Sequence, residues 1–235
     1  MPPVDQSSAS AAYQRLRRAI VRVELAPGNV ISEAQLVERF GLSKAAVRAA
    51  LARLRADGLV LAEPRRGHVI APLTMRDVRE IYDLRLLLEP PAAEAAAGRV
   101  TRAELTRLRT LCQPVPDLDD GASAERFLRA NRDIHLSIAE AGGNQRAAAI
   151  VARLLDDSER ARLIALRAGA AEHGVRAHAE HLALLDALES GGGALAARLM
   201  TDAIHSFREE LMHALDTAAL DAPLPSTPPE LIIGM

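Results

Sequence analysis

From residue 10 to about residue 24, apolar side chains recur three or four apart, at Tyr13, Leu16, Ile20 and Val23, a spacing that predicts an amphipathic helix. Pro27-Gly28 ends it. A short second helix is expected over residues 32–40. Ser32 stands at its N-cap with Gln35 three residues on, and Leu36, Val37 and Phe40 give it one apolar side. Gly41-Leu42 forms a turn, and Ser43 caps a third helix that runs to about Asp57 and stops at Gly58. On this helix Val47, Ala50, Leu51 and Leu54 share the buried face, while Lys44, Ala45 and Arg48 lie on the outward side of its first turns. Residues 59–61 and 68–70 read as two short strands joined through Glu63, Pro64, Arg65, Arg66 and Gly67. Three helices followed by a basic-tipped hairpin describe a winged helix-turn-helix over residues 10–72, preceded by a disordered arm, residues 1–9.

Beyond Pro72 the pattern changes. Six long helical periods follow, over residues 75–98, 101–112, 122–141, 145–168, 172–190 and 194–218. Short polar or glycine-rich connections favour an antiparallel bundle. Residues 219–235 hold four prolines and are expected to form a flexible tail. The fold class is therefore mainly α: a winged helix-turn-helix domain, then a helical bundle over residues 75–218.

Composition sharpens this picture. Aromatic residues are 2% of the 235-residue chain and Trp is absent, which disfavours a strand-rich sandwich. No apolar run approaches the about 18 residues of a membrane helix, so no membrane partner is expected. The single cysteine, Cys112, allows no internal disulfide and no cysteine-based zinc site, and a cytoplasmic protein is the expectation. The net charge of −2 hides an asymmetry. Residues 1–75 hold 11 Lys and Arg against 6 Asp and Glu, a net +5, and the remainder holds 18 against 25, a net −7. A basic module joined to an acidic one points to an anion-binding head on a body of different chemistry.

The chemistry of the head suits DNA. A recognition helix enters the major groove with its N-terminal residues toward the base edges. Ser43, Lys44, Ala45 and Arg48 stand there, with Ser32 and Glu33 at the start of the preceding helix and Arg65, Arg66 and Gly67 at the hairpin tip. A hydroxyl, a lysine and an arginine reach phosphates and guanine acceptors.

Residues 16–70 resemble the DNA-binding domain of GntR-type bacterial transcription regulators. The resemblance rests on Leu25, Pro27-Gly28, Ile31-Ser32-Glu33, Leu36, Phe40-Gly41-Leu42-Ser43, Val47-Arg48, Leu51, Arg53-Leu54, Asp57-Gly58-Leu59-Val60 and Arg66-Gly67. Lys44 stands where arginine is usual, Ala46 replaces a common proline and Ala49 a common glutamate. The helical part resembles the effector domain of the fatty-acid-regulator (FadR/FCD) subgroup. That match runs through Val78 to Arg85 with Glu89-Pro90, Asn131 to His135 with Ala141-Gly142-Gly143-Asn144, and Glu180-His181 to Leu188.

On their own terms, Asn131 and His135 are four residues apart on one helix face with Leu128 and Ile138, and His181 shares a face with Leu184, Leu185 and Leu188. Both histidines point into the bundle. The resemblance implies a pocket for a small carboxylic acid, with Arg85 as its anchor. The residues themselves also allow an internal Arg85–Glu89 salt bridge, four residues apart. The resemblance further implies one divalent metal ion (Zn, Ni or Mn) on Asn131, His135 and His181. It places a third histidine where this chain has Ala203. His205 is two residues on, about 200° around the helix, and joins the set only if the register shifts. Glu180 is read as pointing to a different helix face, His173 and His178 as surface or loop residues, and Cys112 as structural rather than a redox sensor.

Taken together these features predict a non-enzymatic, sequence-specific regulator, most simply a repressor, bound as a homodimer to double-stranded DNA with a two-fold operator and controlled by a small acid. Two other readings compete. In one, the helical domain only dimerises, without metal or effector. In the other, remote, the His135/His181 pocket is a metalloenzyme centre, for which the chain offers no HExxH and no paired nucleophile and base.

Overall fold

The computed structural model describes residues 6–63, 67–112, 121–167 and 171–221. They fall into two compact units, the first ending at Leu73 and the second running over Thr74–Asp221.

In the first unit, α1 spans Gln6–Val21, so the helix begins within the stretch expected to be a disordered arm and ends before Glu24. Its end is a wrapped turn in which Glu24 and Leu25 donate to the Ala19 carbonyl. Val23 takes φ 60 there, a left-handed conformation rarely held by a β-branched residue. Next come β1 (Val30–Ile31), α2 (Glu33–Phe40), α3 (Lys44–Ala56), β2 (Val60–Glu63) and β3 (Gly67–Ile70). Ser32 and Gln35 form the expected capping box, and Ser43 Oγ accepts from the Ala46 N–H. The three strands are antiparallel in the order β1-β3-β2, with Val30 opposite Val69 and Val60 opposite Ile70. The two-residue strand β1 was not expected; two residues are too short to show alternation. Gly67, at φ 96, sits where an added Cβ would lie 3.1 Å from the Ile31 carbonyl, so the start of β3 requires glycine.

The first core is built from Leu16 and Ile20 of α1, Leu36 and Phe40 of α2, Val47, Leu51 and Leu54 of α3, and Val60 and Ile70 of the sheet. The Tyr13 hydroxyl donates to Asp57 at 2.6 Å, tying α1 to the end of α3.

The described elements of the second unit are all helices: α4 (Met75–Ala96), α5 (Arg102–Leu111), α6 (Gly121–Ala141), α7 (Gln145–Arg167), α8 (Ala171–Glu189) and α9 (Gly193–Asp221). Helix α9 thus extends three residues into the stretch read as tail. Thr74 and Thr101 cap α4 and α5 through the N–H groups three residues on. Helix α4 is central and packs against α6, α7 and α9. Gly142 makes this possible at the end of α6, because a Cβ would stand 2.7 Å from the Ala92 carbonyl of α4.

Candidate DNA interface and buried ligand cavity

Lys44, Ala45 and Arg48 are exposed on α3, opposite the buried Ala46, Val47, Ala50 and Leu51. The Ser32 and Ser43 oxygens accept cap hydrogen bonds, which leaves each hydroxyl hydrogen available to a phosphate. Glu33 and Arg48 come together: the arginine Nε lies 2.8 Å and 3.0 Å from the two Glu33 carboxylate oxygens. Glu33 therefore orients Arg48 rather than approaching a polyanion alone. Gly67 belongs to the start of β3, and Arg65 and Arg66 lie outside the described residues.

Within the helical unit, Arg85 of α4, Asn131 and His135 of α6, and His181 of α8 line one cavity of about 20 Å³, roughly the room of one water molecule. All four are buried. The His135 and His181 rings meet edge to face with centroids 5.5 Å apart. Glu89 organises the α4 side. Its carboxylate accepts from Arg85 Nε at 2.5 Å and lies 2.5 Å from His135 Nδ1. Burial pushes the Glu89 carboxyl up, but Arg85 and His135 outweigh burial and hold it at about 2. Glu89 is thus an acceptor only, so His135 Nδ1 carries the proton. It follows that the 3.3 Å approach of Arg85 Nη2 to Nδ1 is not a hydrogen bond, since both are donors. Burial lowers the His135 pKa in spite of the neighbouring Glu89 carboxylate.

Of the two partners open to Arg85, Glu89 is the one it holds. The same cavity is lined by three groups with other histories: Arg162 of α7, Glu180 of α8 and Ala203 of α9. Arg162 had no sequence signal, being one of several arginines on its helix. The Glu180 expectation is corrected: Ala177, Glu180 and His181 stand at i, i+3 and i+4, an arc of one helix face, and all three border the cavity. Burial raises the Glu180 carboxyl's pKa, with Arg176 opposing it 3.8 Å away. His205 is exposed while Ala203, Ile204 and Phe207 are the α9 residues at the cavity, so the register does not shift to bring His205 in. His178 is half-buried within α8, not a surface residue. Cys112 is buried and its thiol is pushed up to about 11, which keeps it protonated and inert.

A divalent cation suits this donor set poorly. Asn131 offers an amide oxygen in place of a carboxylate, Ala203 supplies no donor, and two guanidiniums border the same space. Among the described residues no group of three or more His, Cys, Asp or Glu stands ready for a metal.

Residues 8–70 match the description "Bacterial regulatory proteins, gntR family", and residues 80–206 match the FCD domain, more than half of the chain. The chain belongs to the GntR family. It is a DNA-binding transcriptional regulator with an FCD domain. The HTH-type transcriptional repressor RspR of Escherichia coli is 26% identical over 210 residues, 89% of either chain. The regulator BphR of Paraburkholderia xenovorans is 31% identical over 193 residues, 77% of this chain and 76% of its own. The regulator YdhC of Bacillus subtilis is 35% identical over 124 residues, a match that spans 55% of its length. Among solved structures, E. coli McbR/YncC has the same fold, with a TM-score of 0.74 at 20% identity over 88% of this chain and 98% of that one. Among the described residues of this GntR regulator, no helix is long and apolar enough to cross a membrane.

Proposed function

We propose that this GntR regulator is a cytoplasmic repressor and not an enzyme, and that a small organic acid in its helical unit sets its affinity for DNA. One observation carries the effector reading. Arg85, Asn131, His135 and His181, drawn from three helices, are all buried and line one polar cavity. Such a cluster is expensive to bury and is characteristic of a ligand site. Control requires only that the acid bind the DNA-competent and DNA-incompetent arrangements with different affinity.

The DNA-bound form is a homodimer on a two-fold operator. Support comes from α4, where Leu84 and Leu87 are 46% and 69% exposed, with the exposed Pro91 one turn further on. That apolar stripe suits burial against a second copy. The test is the affinity of the full chain for double-stranded DNA selected by the protein itself, at fixed salt, across a panel of small carboxylic acids. A fall of about tenfold with one of them supports the reading and corresponds to about 1.4 kcal/mol of coupling. No change with any acid favours a helical unit that only dimerises.

A further inference from the structure

We propose that Arg162 is the anion receptor of the helical unit and that a carboxylate binds it directly, without a metal ion, a refinement that rests on the effector reading above. Arg162 lies on α7 and is 5% exposed. Its Nε has no hydrogen-bond partner, and among the described residues no carboxylate pairs with its guanidinium. The Phe207 ring centroid lies 4.5 Å from its guanidinium carbon. A π face does not satisfy five N–H donors.

The contrast with Arg85 is direct. Arg85 is spent on Glu89, through Nε at 2.5 Å and Nη2 at 3.3 Å. Arg162 has no such ion pair among the described residues; Glu89 and Glu159 act on it only through their charge. Glu180, on the cavity's α8 side, is only half-buried and lies 3.8 Å from Arg176, which also contacts Glu210.

A second orphan stands at the same cavity. Asn131 Nδ2 is buried and unpartnered. A guanidinium and an amide donor bordering one cavity form a receptor for a single carboxylate. Glu180, which borders the same cavity, offers an acceptor to a hydroxyl on the same acid. Ala177 and Ala203 keep the rim small-sided, and the present volume requires side chains to yield before more than a water-sized group enters. The ligand class is a short monocarboxylate, preferably hydroxylated.

The experiment uses the full chain stripped with chelator and dialysed. Acetate, lactate and malonate are titrated by calorimetry against chloride at matched ionic strength. Zinc, nickel and manganese chlorides are titrated separately. The expected result is saturable binding of acetate or lactate to the metal-free chain, weakened about tenfold or more by Arg162→Met. Arg162→Met is expected to melt no lower than the wild type, since it removes an unpaired buried charge, so lost binding is not lost folding. Binding that appears only after metal is added, binding unchanged by Arg162→Met, or no binding of any of the three acids would overturn the proposal. The two readings separate cleanly. Acid bound at Arg162 with DNA affinity unchanged upholds the receptor and removes the effector role. Acid-driven DNA release that needs a metal upholds the effector role and removes the receptor.

Discussion

Glu89 ties two of the cavity-lining side chains, Arg85 and His135, together, and Glu89→Gln is the substitution that measures this contribution. The amide keeps the shape but not the charge, leaving Arg85 buried at 2% exposure without its counter-ion. The carboxyl stands at about 2 against an ordinary 4.5, which corresponds to about 3 kcal/mol of preference for the ionised form in the folded chain. Breaking a buried pair from one side destabilises by a similar amount, roughly 3–5 kcal/mol. The sign with pH follows from the depressed value. The contribution is complete above the unfolded carboxyl's pKa near 4.5 and is lost as pH falls toward about 2. For a unit of this size, about 3 kcal/mol lowers the melting temperature by roughly 6–12 °C. Scanning calorimetry of the full chain is the assay, with the loss expected in the transition of the helical unit alone. A loss below about 1 kcal/mol at neutral pH, or one that does not shrink between about pH 5 and pH 2, would refute the reasoning.

Three further outcomes follow from other parts of the molecule. Arg48→Ala is expected to weaken DNA binding by about 1–3 kcal/mol in anisotropy titrations and to leave the melting temperature within a degree or two, because Arg48 is exposed. Leu87→Arg should shift sedimentation of the full chain from dimer to monomer, with far-ultraviolet circular dichroism unchanged. Val23→Gly should raise the stability of the first unit by about 1 kcal/mol in urea unfolding, since glycine holds φ 60 without the clash that valine carries.

Much of this was legible in the sequence, for identifiable reasons. Ser32, Ser43, Thr74 and Thr101 are caps whose chemistry is local, so helix starts followed from short stretches of chain. The i,i+4 pair Asn131–His135 and the lone inward His181 were readable because burial follows helix periodicity. Arg162 was not readable, because Arg160 and Arg162 are both buried on α7 and nothing local distinguishes a paired arginine from an orphan. That difference is set by which side chains the fold brings against each guanidinium, the Phe207 ring in the case of Arg162, which is a tertiary fact. Glu180 escapes helix periodicity because adjacent residues lie about 100° apart on a helix, and a cavity that takes in that arc admits both Glu180 and His181. For Arg85, sequence left an acid and Glu89 as rival partners, and only the packing of α4 against α6 decides between them, by placing His135 on the other side of the same carboxylate.

The most direct test of the account joins its two ends. Binding of wild-type and Arg162→Met chains to the same selected DNA fragment is measured in chelator, with and without lactate. The account predicts equal affinity without lactate, a fall of about tenfold for the wild type when it is added, and no response from Arg162→Met. An equal fall in both chains, or no fall in the wild type, would contradict it.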